Sequence, residues 1–129
     1  MRFCFGLFIA LLLFMSCENV TFSPLVGKWQ LKSVEKNGET IAVDTIWYNF
    51  QSKSIFSLQI YSPHFDRYSS YVGMRVQHGD VVTIDLNDKT VVYHADWNND
   101  VRSFTIEELN RKRLLFRSEE GYRYYFIKF

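Results

Sequence analysis

Short runs in which apolar and polar residues alternate cover most of the chain beyond residue 27. Each predicts a strand with one face turned inward. Trp29 and Leu31 alternate with Lys28, Gln30 and Lys32, and Asn37-Gly38 behind them is a strong hairpin signal. Ile46, Tyr48 and Phe50 alternate with Trp47 and Asn49, and Phe56, Leu58 and Ile60 with Ser57 and Gln59. Tyr68, Ser70, Val72, Met74 and Val76 form a longer series, in which Gly73 marks a bulge or a close approach. Val82, Ile84 and Leu86 follow the turn His78-Gly79-Asp80. Beyond the turn Asn87-Asp88, the β-branched Val91-Val92-Tyr93 reads as a short strand. Asn98-Asn99-Asp100 reads as a loop, and Phe104 and Ile106 alternate with Thr105 and Glu107. Leu114 to Phe116 then pairs across Glu119-Glu120-Gly121 with Tyr122 to Phe129.

Thr105 to Phe116 also carries a capping-box pattern (Thr105, Glu108), but the hairpin that follows requires a partner strand, so strand is the better reading. About nine strands at roughly 8–12-residue spacing predict an all-β sandwich or barrel. The last strand has Tyr122, Tyr124 and Phe126 on one face and Tyr125, Ile127 and Phe129 on the other. That pattern predicts shelter on both sides, by closure against the first strand.

The segment before these strands follows a different pattern. Phe3 to Met15 is an apolar run of 13 residues behind Arg2. A membrane-spanning helix needs about 20, so this is the length of a signal-peptide core. It ends in Leu13-Phe14-Met15-Ser16-Cys17, which resembles a bacterial lipobox. That resemblance implies removal of residues 1–16 as a lipoprotein signal peptide. Acyl chains such as palmitate would then be attached to Cys17, with residues 17–24 as the lipidated tether and 25–129 as the barrel domain. Two or three acyl chains hold a protein durably on a bilayer, at about 0.8 kcal/mol per buried CH₂. Glu18 is not the Asp typical of inner-membrane retention, so the resemblance points to the outer membrane, facing the periplasm or the outside.

Composition narrows the function classes. Of the 2 cysteines, Cys4 would leave with the signal, so no disulfide could form within one mature chain. Loss of Arg2 would leave Lys+Arg level with the 14 Asp+Glu, a balance that argues against nucleic-acid binding. The aromatics are abundant: 12 Phe, 8 Tyr and 3 Trp, enough to fill or line a small barrel.

Leu25-Val26-Gly27-Lys28-Trp29-Gln30-Leu31 resembles the G-x-W opening of the lipocalin superfamily, and the closing pair Arg113 to Phe116 and Tyr122 to Phe129 resembles the last hairpin of small bacterial lipocalin-like proteins. The mature chain is similar to lipocalin-like lipoproteins of Gram-negative gut anaerobes. The resemblance implies a small antiparallel up-and-down β-barrel of 8–9 strands, with Gly27 and Trp29 at its floor. It does not name a ligand.

Sites of chemistry are sparse. There is no phosphate-binding glycine loop and no nucleophile elbow. Neither His64, His78 and His94 nor the pairs Glu107-Glu108 and Glu119-Glu120 have the spacing of a metal site or an acid–base dyad, although barrel strands could bring His78 and His94 together. The expectation is a non-enzymatic protein without metal or cofactor. Arg111-Lys112-Arg113 reads as a solvated turn, with contact to anionic lipid heads or glycans as the functional alternative. Asp44-Thr45-Ile46 matches a short Asp-Thr-apolar acceptor for O-glycosylation, which makes Thr45 a candidate.

Two functional readings result. In the first, Trp47, Tyr48, Phe56, Tyr61, Tyr68 and Tyr71 line a barrel mouth that holds a small apolar ligand, lipid or glycan fragment. In the second, the barrel is filled and the protein acts as an interaction or inhibitor lipoprotein through its loops, among them the Phe65 loop. A hollow interior favours the first and a packed interior the second.

Overall fold

The computed structural model describes residues 24–129; the signal segment, Cys17 and residues 18–23 lie outside the described residues. Nine strands are present: β1 (Gly27–Lys36), β2 (Glu39–Ala42), β3 (Ile46–Phe50), β4 (Ile55–Ser62), β5 (Arg67–His78), β6 (Val81–Asp85), β7 (Val101–Leu109), β8 (Arg113–Ser118) and β9 (Arg123–Lys128). All pairings are antiparallel, in the order β2-β1-β3-β4-β5-β6-β7-β8-β9, and β9 returns to pair with β1. Eight strands therefore close a barrel. β2 is an appendage, paired only with Ser33–Lys36 of β1 above the point where β3 takes over that edge.

The alternation seen in the sequence is the alternation of the barrel wall. Tyr48 and Phe50 of β3, Phe56, Leu58 and Ile60 of β4, Val82 and Ile84 of β6, and Phe104 of β7 are buried. On β5 the pattern is reversed: the apolar series Tyr68, Val72, Met74 and Val76 is exposed, and Tyr71 and Arg75, of the other parity, are the buried residues. The β1–β2 turn uses Asn37 and Gly38, both at positive φ (53° and 81°), the backbone a two-residue hairpin demands. Bulges at Leu31/Ser33 and Ile106/Glu108 shift the register and add the bend that closure needs.

Two further expectations need correction. Val91-Val92-Tyr93 is not a strand but lies in a short 3-10 helix, Lys89–Tyr93. Asp88 starts it by accepting from Thr90 N (3.0 Å) and Thr90 Oγ1 (2.6 Å), and local bonds of this kind outcompete β propensity. The last strand does close against β1, but it is sheltered on one face only. Tyr125, Ile127 and Phe129 are exposed, because among the described residues no second layer covers the outside of the barrel. β2 supplies the strand that Val91–Tyr93 does not.

The two barrel ends differ. Chain entry at Leu25, the 51–54 connection, the Gly79-Asp80 turn, the 110–112 turn and the chain end lie at one end, the floor. Turns 37–38, 63–66 and 119–122 and the long 86–100 segment lie at the other, the mouth.

The barrel mouth as candidate ligand site

The floor is shut by strand-borne groups. Trp29, fully buried, donates its indole N–H to the Leu25 carbonyl at 3.0 Å. The Lys128 ammonium sits 4.6 Å from the Trp29 ring centroid and donates to the Val26 carbonyl at 3.0 Å. Gly27 has φ 137°, and a Cβ there would collide with the Lys128 side chain. The G-x-W spacing thus leaves room for a lysine over the tryptophan.

The mouth is shut by a loop. β6 stops at Asp85, and the 86–100 segment crosses the barrel before β7 begins. Gly73 of β5 lies directly beneath the crossing, where an added Cβ would clash with the Asp85 carbonyl and approach Leu86 Cα to 2.7 Å. This is the close approach that the glycine predicted. The segment delivers Val91 and Trp97 into the interior, both buried. The Trp97 indole N–H donates to the Tyr48 hydroxyl at 3.0 Å, and its ring packs 6.1–6.4 Å from Tyr48, Phe56 and Phe104.

A polar cluster lies under this plug. Arg102, 5% exposed, points inward from β7, and its guanidinium carbon is 4.7 Å from the Phe104 centroid and 5.5 Å from that of Trp97. Arg102 Nη2 donates to Tyr124 Oη at 3.1 Å and reaches Glu120 at 3.4 Å. Tyr124 Oη donates to Asp96 Oδ2 at 2.9 Å, which also pairs with Lys36 at 3.4 Å. Arg102 Nη1 is buried with no hydrogen-bond partner among the described residues. Burial pulls the Arg102 pKa down, but Tyr48, Tyr124 and Asp96 around it outweigh that and hold it above the usual value. Burial, with Asp96 second, pushes the phenols of Tyr48 and Tyr124 well above the usual range. The arrangement is a cation with one free donor, walled by aromatic faces, a combination suited to an acceptor group on an apolar body.

The six aromatics singled out in the sequence do not come together. Tyr48, Phe56 and Tyr71 face the interior, where Tyr48 and Phe56 are packed edge-to-face at 5.5 Å. Tyr71 lies under the 86–100 segment, its hydroxyl 3.5 Å from Thr90 Oγ1. Trp47, Tyr61 and Tyr68 face outward, because they occupy the opposite parity on β3, β4 and β5. There they form a row on the barrel's exterior: Tyr61–Tyr68 at 4.9 Å, Trp47–Tyr68 at 6.1 Å and Trp47–Phe129 at 6.0 Å. Thr45 is half-buried just before β3, its carbonyl accepting from Tyr61 N at 2.8 Å. Phe65 is exposed on its turn, beside a cleft of about 250 Å³ that also involves Arg67 and His94. His78 ends β5 at the floor and His94 lies at the mouth. Among the described residues no cluster of three or more metal-ligating side chains occurs.

Sequence reasoning missed Arg102, Trp97, Tyr124 and Asp96 as a group. Arg102 had a signal: it shares inward parity with Phe104 two residues on. Trp97 had none beyond being a tryptophan among Asn and Asp.

A closed eight-stranded antiparallel barrel, with a tryptophan on its first strand and a loop over its mouth, defines a calyx-type fold. The chain belongs to the lipocalin-like domain family, whose model matches residues 11–129. It is similar to a crystal structure of a lipocalin-like protein from Bacteroides uniformis, at 28% identity and a TM-score of 0.73, covering 83% of this chain and 100% of that one. It is also similar to an uncharacterized protein from Bacteroides eggerthii, at 26% identity and a TM-score of 0.69, covering 81% of this chain and 98% of that one. No curated protein matches. The family's barrel is of the kind that accommodates small ligands.

Proposed function

We propose that this is a lipid-anchored protein of the outer membrane that takes a small apolar molecule or lipid into its barrel at the mouth. The observation that carries this reading is the buried Nη1 of Arg102, without a partner among the described residues, beneath a plug that a loop supplies. A strand-borne plug leaves only if the barrel unzips, whereas Trp97 leaves if the 86–100 segment lifts. A ligand would then replace Trp97 against Phe56 and Phe104 and present an acceptor to Arg102. Native mass spectrometry of residues 18–129 from a Gram-negative host tests it. The expected result is a reproducible adduct that is lost on denaturation and absent in Arg102→Leu. A bare mass in both that persists when envelope lipid extract is added overturns it. For the anchor, Cys17→Ala should release the protein from the membrane fraction or leave it unprocessed; unchanged membrane extraction would sink that part.

A second reading rests on a specific observation: the interior is packed as it stands, and a packed barrel favours work on the outside. The row Trp47–Tyr61–Tyr68, continued by exposed Val72, Met74 and Val76, would then dock a protein partner. The bare-mass outcome above is the result that would select this reading.

A further inference from the structure

The floor end holds a second buried arginine, in a different setting. Arg75 points inward from β5 and is 3% exposed. Its Nε donates to the Ser52 carbonyl at 2.8 Å, and its backbone N–H donates to the Ser54 carbonyl at 2.9 Å, so the 51–54 connection wraps it. Nη1 reaches Gln77 Oε1 only at 3.5 Å, the limit of a hydrogen bond. Nη2 is buried without a hydrogen-bond partner among the described residues. The ring of Phe50 lies 5.2 Å away on one side. Arg102 has Glu120; Arg75 has no carboxylate in ion-pair reach among the described residues. Burial alone moves its pKa, and moves it down. A buried cation with a free donor and no counterion is costly to hold unless something anionic meets it.

Beside it is a place for such a group. A cleft of about 350 Å³ is lined by Arg75, Lys53, Gln77 and Gly79. A Cβ on Gly79 would meet nothing within 4 Å, so the turn leaves the cleft open. Lys53 is exposed at its rim, and Arg111 and Lys112 are exposed in the turn at the same end of the barrel. Asp80, next to Gly79, is the one acidic residue of the turn, and it too is exposed.

We infer that this cleft binds a phosphate group, with the Arg75 guanidinium as the fixed fork and the Lys53 ammonium as the second cation. A planar fork plus a mobile point charge suits tetrahedral oxygens better than a single carboxylate. The phosphate could belong to a phospholipid headgroup, since the chain enters the barrel at this end, or to a soluble phosphate. The inference does not depend on the mouth.

The test uses the full chain in dodecyl maltoside and chloride buffer, free of phosphate. Inorganic phosphate is titrated and followed by ³¹P line broadening, and then a short-chain phosphatidylglycerol is added. Saturable phosphate binding is expected. Lys53→Gln, at an exposed position, should weaken it about threefold, and Arg75→Lys about tenfold. Displacement of inorganic phosphate by phosphatidylglycerol would support the headgroup as the source, and retention the soluble anion. Absence of saturable binding for both probes, or phosphate binding that Lys53→Gln leaves unchanged, overturns the proposal.

Discussion

Both ends of the barrel are closed by a tryptophan, and the two closures are built differently. Trp29 belongs to β1, bonds to a backbone carbonyl four residues away, and is held under Lys128 of the closing strand. Trp97 belongs to a connection and bonds to a hydroxyl 49 residues away, on the opposite wall. Removing Trp29 means breaking the ladder between β1 and β9; removing Trp97 means moving a loop. One end is therefore closed by a strand-borne group and the other by a loop-borne one, and on the proposed reading only the second opens without unfolding.

Several substitutions would sharpen or break that contrast. Trp29→Ala should cost the most, about 5 kcal/mol in urea unfolding, because the surrounding strands cannot collapse into the space. Trp97→Ala should cost less, about 3 kcal/mol, because the 86–100 segment can settle, and it should raise binding of an apolar fluorescent dye. If the two costs came out reversed, the contrast would fail. Gly73→Ala should destabilise by about 1–3 kcal/mol by pushing the loop off β5. Amide exchange would then rise in residues 86–100 before the floor; uniform loss of protection would argue against a separable mouth.

The smallest effect is with pH. Tyr48 and Tyr124 have phenol pKa values raised in the folded state, by burial first and Asp96 second, against about 10 in the unfolded chain. The folded protein therefore keeps protons that the unfolded chain loses. This part of the stability is full below about pH 10 and declines as pH rises beyond it. Tyrosinate absorbance should show a fraction of the phenols titrating only together with unfolding.

The wall of the barrel was legible because period-two alternation is a direct consequence of strand geometry. Trp29, Tyr48, Phe56 and Phe104 could be assigned inward from their neighbours alone. The same rule, applied strictly, separates Trp47, Tyr61 and Tyr68 from Tyr48, Phe56 and Tyr71. Treating them as one cluster used nearness in sequence where parity decides. The mouth was poorly legible because it depends on where β6 stops. A loop of Asn, Asp and a lone Trp has no period, and its insertion is decided by a distant hydroxyl on Tyr48. Lys89–Tyr93 misled for a related reason: two valines suggest a strand, but Asp88 bonds the following turn more cheaply than a sheet could.

β2 has one further consequence. Eight strands complete the barrel, so the ninth contributes nothing to closure and leaves, among the described residues, a free edge. Glu39–Ala42 is only four residues long, exposed throughout, and begins with a carboxylate. An edge of that length and charge gives a second copy too little ladder to extend. The molecule can thus be crowded on a surface without its sheets joining into a polymer.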